Sequence, residues 1–468
     1  MDLKDRKFIV ALPAVVAALA VLMLALWYAR QDDGSLKVRI PGTDAPPGAD
    51  PAALANPVLA GKVLKGDGQV VALPGAWPQF RGAERDGISR ETTALARSWP
   101  ATGPRELWSV EAGEGYAGVA IREGRVFLFD YDREKKQSAL RCLSLADGKE
   151  VWRFAYQLSV KRNHGMTRTV PVVTDRFVIG MDPKCNVVCL DVATGELRWG
   201  FSLVREYGAT IPPWYTGQCP LVESNAVILA PGGPNALLIA VDLETGKPLW
   251  QSPNPRGWNM THSSVMPMTL AGRRSYVYCG SGGVTAVSAN NGSLLWDTTD
   301  WRISIANVPS PVLLDGGQLF LSGGYNAGAL MLQLKEAAGQ VTPRTAFKLA
   351  PEVFGATQQT PVLYEGHLYG VRPDGQFVCL DLAGKVIWAS GSGAQFGIGP
   401  FLLANGLFFV MNDSGKVSLI EASAVSYQPL AEAQLLKGRE SWGPFAIAGG
   451  RLIARDLTRL ACFDVGAK

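Results

Sequence analysis

The stretch "CLDVATGELRW", Cys189 to Trp199, is nearly rewritten at Cys142–Trp152 (CLSLADGKEVW), Ala240–Trp250 (AVDLETGKPLW), Ala286–Trp296 (AVSANNGSLLW) and, one residue shorter, Cys379–Trp388 (CLDLAGKVIW). Each copy is an apolar run, a short polar turn that reaches Gly, and a second apolar run ending in Trp. Gly supplies the positive φ of a tight turn, so each copy predicts two antiparallel strands joined as a hairpin.

Successive Trp residues from Trp152 to Trp296 are 47, 51 and 46 residues apart, and the 92 residues from Trp296 to Trp388 are two periods. One degenerate copy therefore lies between them, at "LMLQLKEAAGQVT" (Leu330–Thr342), with its hairpin kept and its Trp lost. A second worn copy, "VSLIEASAVSYQPL" (Val417–Leu430), follows Trp388. Ahead of each hairpin stands another pair of apolar runs, usually opened by Pro, as in "VPVVTDRFVIG", "CPLVESNAVIL", "SPVLLDGGQLFLSGG", "TPVLYEGHLYGV" and "GPFLLANGLFFV". "GPFAIAGGRLIA", "MPMTLAGRRSYVYCG" and the Pro-less "GVAIREGRVFLFD" bring the set to eight. Four short strands in a unit of this period, unable to bury both faces alone, predict an all-β, eight-bladed propeller of four-stranded antiparallel blades. "RELWSV" (Arg105–Val110) has a final strand with its Trp but no partner strands, whereas "ACFDV" (Ala461–Val465) begins a hairpin that never finishes. Pairing the two closes the ring and removes the open edges. Trp108, Trp152, Trp199, Trp250, Trp296 and Trp388 are thus expected to be structural, docking blade on blade.

The A-x-D-x-x-T-G-x-x-x-W phrase, clearest at Ala240–Trp250, resembles the tryptophan-docking repeat of PQQ-binding-like (quinoprotein alcohol dehydrogenase-like) propellers. That group includes the propeller lipoprotein of the outer-membrane protein assembly machine. The leading segment "WPQFRGAERDGIS" (Trp77–Ser89) is similar to one that precedes the propeller in many bacterial members. The resemblance spans residues 77–468; it specifies fold and leaves function open, because one fold hosts many roles.

Composition agrees with a large globular β protein: 47% apolar residues, 52 Gly, 30 Pro and a net charge of only +4. No long basic run is present, so nothing argues for nucleic acid. At the N-terminus, residues 1–7 carry Lys4, Arg6 and Lys7, and Phe8–Ala29 follows with 22 uncharged residues. As a helix that is about 33 Å, enough to cross a bilayer core. The charge asymmetry predicts a cytoplasmic stub (1–7), a single transmembrane anchor (8–29) in a bacterial inner membrane, and a propeller in the periplasm. A cleaved export signal is the alternative, but Trp27 stands where an A-x-A site ending at Ala29 wants a small residue. A lipoprotein site is excluded, since the first Cys is Cys142. Residues 30–76, rich in Pro, Ala and Gly, read as a tether, and 77–468 as the propeller.

Cys142, Cys189, Cys379 and Cys462 share one register with Ala240 and Ala286, which marks a small buried strand position. Cys185 and Cys189 are badly spaced for a bridge, and no disulfide framework is expected. The three His (His164, His262, His367) and the lack of C-x-x-C-H offer neither a metal site nor a covalent haem. In a propeller the first strand of each blade lines the central channel, so residues just before the strand-opening positions gather at its mouth. They are Tyr116, Arg168, Gln218, His262 with Ser264, Asn307, Gln358 with Gln359, Phe396 and Trp442. A water-filled polar rim and a ligand site fit that list equally. The connectors from Trp to the next Pro are longest over three consecutive blades, at 19, 21 and 17 residues against 12 after Trp388. They supply Arg162, His164, Arg205, Tyr207, Trp214, Arg256 and Trp258, residue types common in binding hot spots, or alternatively aromatic caps on the blade ends.

The resemblance also implies a test for enzyme activity. PQQ-dependent dehydrogenases hold Ca²⁺ with Glu and Asn, use an Asp base, seat the quinone on a Trp and often have adjacent Cys. Trp442 suits a planar ligand, but Glu114, Glu440 and the more distant Glu206 are the only carboxylates near the mouth, and no Cys–Cys pair exists. A hard cation and a general base both need carboxylates. The expectation is therefore a non-catalytic binding or scaffold module that meets an envelope protein or an extended or anionic ligand, without cofactor or metal. The alternative is a PQQ-dependent alcohol dehydrogenase-like oxidoreductase with PQQ and calcium.

Overall fold

A computed structural model describes residues 15–26 and 56–467. Residues 15–26 are helical, and no helix among the described residues is long and apolar enough to cross a membrane. The expected span Phe8–Ala29 thus falls partly outside the described residues, as do the cytoplasmic stub and the first half of the expected tether.

The rest of the described chain folds into eight antiparallel sheets, each built on four strands. Blade one comprises Val119–Arg122, Arg125–Asp132, Gln137–Ser144 and Glu150–Gln157. Blades two to seven open at Val172, Leu221, Met266, Val312, Val362 and Phe401. Blade eight takes Ala446–Ala448, Arg451–Arg455 and Arg459–Asp464 from the end of the chain and Arg105–Glu111 from its beginning, with Trp108 opposite Cys462. The two ends therefore close the ring as the half-repeats require.

What couples the blades is visible in the repeated phrase. In five blades the docking Trp faces the small residue of the phrase across the hairpin, as in Cys142 opposite Trp152 and Cys189 opposite Trp199, and a β-bulge follows at once. The bulge turns the indole out of its own sheet toward the next blade. There it lies on the turn glycine: a Cβ on Gly195 would come within 2.7 Å of the Trp152 ring, and one on Gly246 or Gly148 equally near Trp199 or Trp108. The indole N–H of Trp108 donates to the Leu145 carbonyl and that of Trp199 to the Leu243 carbonyl, both at 2.9 Å in the following blade's turn. Gly at this turn is required twice, for its φ of +76° at Gly195 and for the flat seat it leaves the ring.

The worn copies keep the geometry and change the residue. In blade five Phe347 stands opposite Met331 ahead of the same bulge, and it rests on Gly384. In blade seven Ala431 stands opposite Leu419. The blade-five hairpin is long, with strands Gly328–Ala337 and Gln340–Leu349, and its turn Gly339 has nothing within 4 Å. Trp296, deprived of a glycine seat, packs instead in a core cluster with Leu319, Leu332 and Leu334.

The expected tether needs correction from Asn56 onward. Asn56 donates to the Gly200 carbonyl, Val58 is fully buried, and Lys62–Lys65 adds a fifth strand to the outer edge of blade one. Four residues of strand are too few to produce a readable alternation among Pro, Ala and Gly.

Two outcomes test this architecture. Gly195→Ala is expected to lower stability by about 3 kcal/mol, combining the left-handed backbone cost with a forced shift of Trp152. Gly272→Ala, at φ +73° with open space around it, should cost only about 1 kcal/mol; equal losses in denaturant titrations would refute the docking account. Deleting Arg105–Val110 should lower the unfolding midpoint and promote aggregation through the bared Arg459–Asp464 edge, and an unchanged midpoint would contradict ring closure.

Candidate functional site

The residue just ahead of the first strand faces the channel in each blade, and its backbone N–H needs an acceptor there. Four of these are met by the side chain at the equivalent place one blade on. Val170 N–H donates to Cys219 Sγ (3.2 Å), Cys219 to Ser264 Oγ (3.0 Å), Ser264 to Ser310 Oγ (3.2 Å) and Ser310 to Thr360 Oγ1 (2.9 Å). Blades two to six are thereby linked around the axis. Blades one, seven and eight carry Gly118, Gly399 and Gly443 at this position and cannot continue the chain of bonds.

The Trp77–Ser89 segment closes one end of the channel across that gap. Trp77 pairs with Ile121 of blade one, the Pro78 carbonyl accepts from Val173 of blade two, and Ile88 pairs with Leu403 of blade seven. Arg81 donates to the Thr360 and Pro361 carbonyls of blade six, and Arg85 to the Pro220 carbonyl of blade three at 2.9 Å. Burial lowers both guanidinium pKa values to about 10, so both remain charged at neutral pH while carbonyl dipoles solvate them.

Above this plug lies a cavity of about 350 Å³. It is lined by Trp77, Phe80, Arg81 and Gly87 at the plugged end and, among others, by Tyr116, His164, Arg168, Trp214, His262, Tyr325, Gln358 and Trp442. Of the residues expected at the site, the fold thus brings together His164, Arg168, Trp214, His262, Gln358 and Trp442. Tyr116 and Trp442 are in tilted ring contact with centroids 5.2 Å apart and planes at 37°, and the Arg168 guanidinium lies 5.4 Å from the Tyr116 ring centroid. Tyr116 OH donates to Glu440, and Trp442 Nε1 donates to Asp413 at 2.8 Å. His262 is 7% exposed; burial first, then the nearby Arg168 charge, lowers its pKa to about 3 and keeps the ring neutral. Non-glycine residues in the left-handed region gather at this mouth: His164, Trp214, Tyr325 and Glu440 have φ of 49°, 63°, 57° and 56°. Such strain persists only where the surroundings impose it, and next to Trp214 the buried Tyr215, at φ 71°, supplies an anchor by donating its hydroxyl to the Lys161 carbonyl.

The other expected residues lie elsewhere. Gln218 is fully buried and spends its amide on the Ala230 backbone, donating to the carbonyl and accepting from the N–H. Arg162 forms a two-bonded pair with Glu114, and Arg256 one with Asp297. Trp258 is buried in a core cluster, its backbone N–H and carbonyl both held by the Asn254 side chain. Tyr207 packs edge-on against Phe201, and Arg205 is exposed on the short helix Leu203–Tyr207. Arg162 and Arg256 are thus separately neutralised, because Glu114 and Asp297 reach them from segments distant in sequence.

PQQ with calcium does not fit these residues. Among the described residues no group of three His, Cys, Asp or Glu converges to hold a metal ion. Glu114 is occupied by Arg162, and Glu440 by Tyr116. The seven cysteines are free and buried, and burial raises their thiol pKa values, which removes them as nucleophiles. Lining residues that spacing did not disclose include Trp77, Phe80, Arg81 and Tyr325. The "WPQFRG" run was the available signal for the first three, but nothing local says that it folds into the channel.

Comparison with known proteins places this architecture. The chain is 23% identical over 335 residues to the outer membrane protein assembly factor BamB of Moranella endobia (strain PCIT), covering 68% of this chain and 70% of that one. It is 21% identical over 271 residues to the factor of the same name from Yersinia pestis, covering 46% and 66%. Among solved structures, BamB from Moraxella catarrhalis superimposes with a TM-score of 0.54 at 15% identity, over 77% of this chain and 99% of that one, a likeness of fold. The family model described as outer membrane protein assembly factor BamB matches residues 135–390, more than half of the chain, and the protein belongs to that family.

Proposed function

We propose that this protein is a non-catalytic propeller scaffold of the bacterial envelope that binds other proteins of outer-membrane protein assembly. The observation that carries this reading is the family match over residues 135–390, whose members bear that assembly name. The chemistry of the channel supports it, since the carboxylates nearest the mouth, Glu114 and Glu440, are engaged by Arg162 and Tyr116. The partner-facing surface is formed by the long connectors of blades one to three, with Arg205 exposed and Trp214 held in a strained conformation at the mouth. Aromatic and Arg side chains of this kind give large contact area and forked hydrogen bonds to a partner. The propeller stands in the periplasm, held to the inner membrane by Phe8–Ala29; the uncharged run and the preceding Lys4, Arg6 and Lys7 support that orientation.

Capture from detergent-solubilised membranes checks the scaffold. The parent should retain outer-membrane assembly proteins, and Arg205→Ala with Trp214→Ala should lose them at an unfolding midpoint moved by only a few degrees. An unchanged partner set would remove these connectors from the binding surface, and quinone-dependent alcohol oxidation by purified protein would overturn the non-catalytic reading. The anchor predicts that the mature chain begins near Met1 and stays with membranes through alkaline washing. A mature N-terminus beyond residue 29 would instead establish a cleaved signal.

A further inference from the structure

Four arginines of this protein have guanidinium groups at or near the channel, and three of them are provided for by the chain itself. Arg81 donates to the carbonyls of Arg85, Asp86, Thr360 and Pro361. Arg85 donates to Gln79 and to the Cys219 and Pro220 carbonyls, with only its Nε left without a partner. Arg455 donates to the carbonyls of Gly113, Ala117, Asp456 and Leu457. Arg168 is the exception. Among the described residues it makes no hydrogen bond and no ion pair, its Nη1 is shut off from solvent without a partner, and its guanidinium lies over the face of Tyr116, 5.4 Å from the ring centroid. A guanidinium keeps its charge at neutral pH, and a charge withdrawn from water without a partner is costly.

The surroundings of Arg168 define what would complete it. His262 Nδ1, on a ring only 7% exposed, also lacks a partner, and so does Oε1 of Gln359; both residues line the same cavity. His262 stays neutral and Arg81 has given its N–H groups to carbonyls, so Arg168 is the cation lining the cavity that has no hydrogen-bond partner among the described residues. Its walls are aromatic, with Trp442 and Tyr116 in tilted contact on one side and Trp214 at the mouth. The plug beneath prevents passage through the channel and leaves a blind pocket of about 350 Å³. A polycarboxylate would bring more negative charge than the pocket can meet, and a neutral ligand would leave Arg168 as it is.

We infer that the plugged channel is a binding site for a small aromatic monocarboxylate, its carboxylate received by Arg168 and its ring held by Trp442 and Trp214. The carboxylate accepts a charge-assisted pair of N–H bonds, the strongest hydrogen bonds a side chain offers. The site shares Arg168, Trp214 and His262 with the connectors proposed to bind partners, whereas Trp442 lies outside them, so ligand titration and partner capture are measured separately.

Calorimetric titration of the detergent-solubilised full chain with 2-naphthoate and with its neutral counterpart 2-naphthalenemethanol provides the test. The parent should bind the acid at least about tenfold more tightly than the alcohol, the gain expected of one charge-assisted contact. Arg168→Met should abolish that preference, and Trp442, outside the connectors, supplies the variant whose capture of assembly proteins should stay unchanged. Trp442→Ala, which keeps the charge, should weaken both probes together and retain the preference for the acid; it also serves if the Arg168 variant does not fold. Failure of the acid to bind at millimolar concentration, equal affinity for the two probes, or parent-like binding by Arg168→Met would overturn the assignment.

Discussion

The contact between a tryptophan ring and the turn glycine of the following blade governs this structure. A four-stranded blade has two faces to bury and can bury neither alone. The phrase from Cys189 to Trp199 solves this by serving two interfaces: Gly195 receives Trp152 from the blade before, and Trp199 lies on Gly246 of the blade after. The bulge that follows the small residue opposite each Trp aims the ring outward, and the absence of a Cβ at the glycine makes the seat flat. Ring closure follows from the same rule, since Trp108 must be carried by a strand paired with Cys462 to reach Gly148.

Closing eight blades leaves a channel whose wall is backbone. Its N–H and carbonyl groups must be satisfied without a neighbouring strand, and the chain does this by two means. Where the residue before the strand-opening Pro can accept through a side-chain oxygen or sulfur, as Cys219, Ser310 and Thr360 do, it receives the N–H of the preceding blade. Where that residue is glycine, other groups intervene: Trp77 and Ile88 pair with blades one and seven, and Arg455 joins blade eight to the Ala117 carbonyl ahead of blade one. The glycines allow this close approach, as a Cβ on Gly118 or Gly443 would meet the Pro444 carbonyl or the Arg455 side chain. The plug and the ring of bonds together turn an open channel into a pocket.

The pocket was legible in part. Counting to the position before each strand-opening Pro located Tyr116, Arg168, His262, Gln358 and Trp442, because a propeller maps that position to one end of its axis. The same counting admitted Gln218, which the Ala230 backbone claims, and Phe396, which is core. Residue type alone grouped Arg162, Arg205 and Arg256, yet Glu114 and Asp297 neutralise two of them from segments that no local pattern could place beside them. The contribution of Trp77, Phe80 and Arg81 could not be read at all, since a thirteen-residue loop without periodicity gives no sign of the hydrogen bonds that fold it back across five blades.

The sequence by itself determined the number of blades, the strands within them, the docking tryptophans and the closure by the two ends. Each of these is written in local spacing, where apolar alternation and a turn glycine act over a few residues and repeat often enough to be counted. Tertiary structure decided which Trp has a glycine beneath it, where residues 56–89 attach, and which arginines are paired. Those outcomes depend on carbonyls and carboxylates brought close by ring closure, and a charge's partner in space, unlike a turn or an alternating strand, leaves no mark at a fixed distance along the chain.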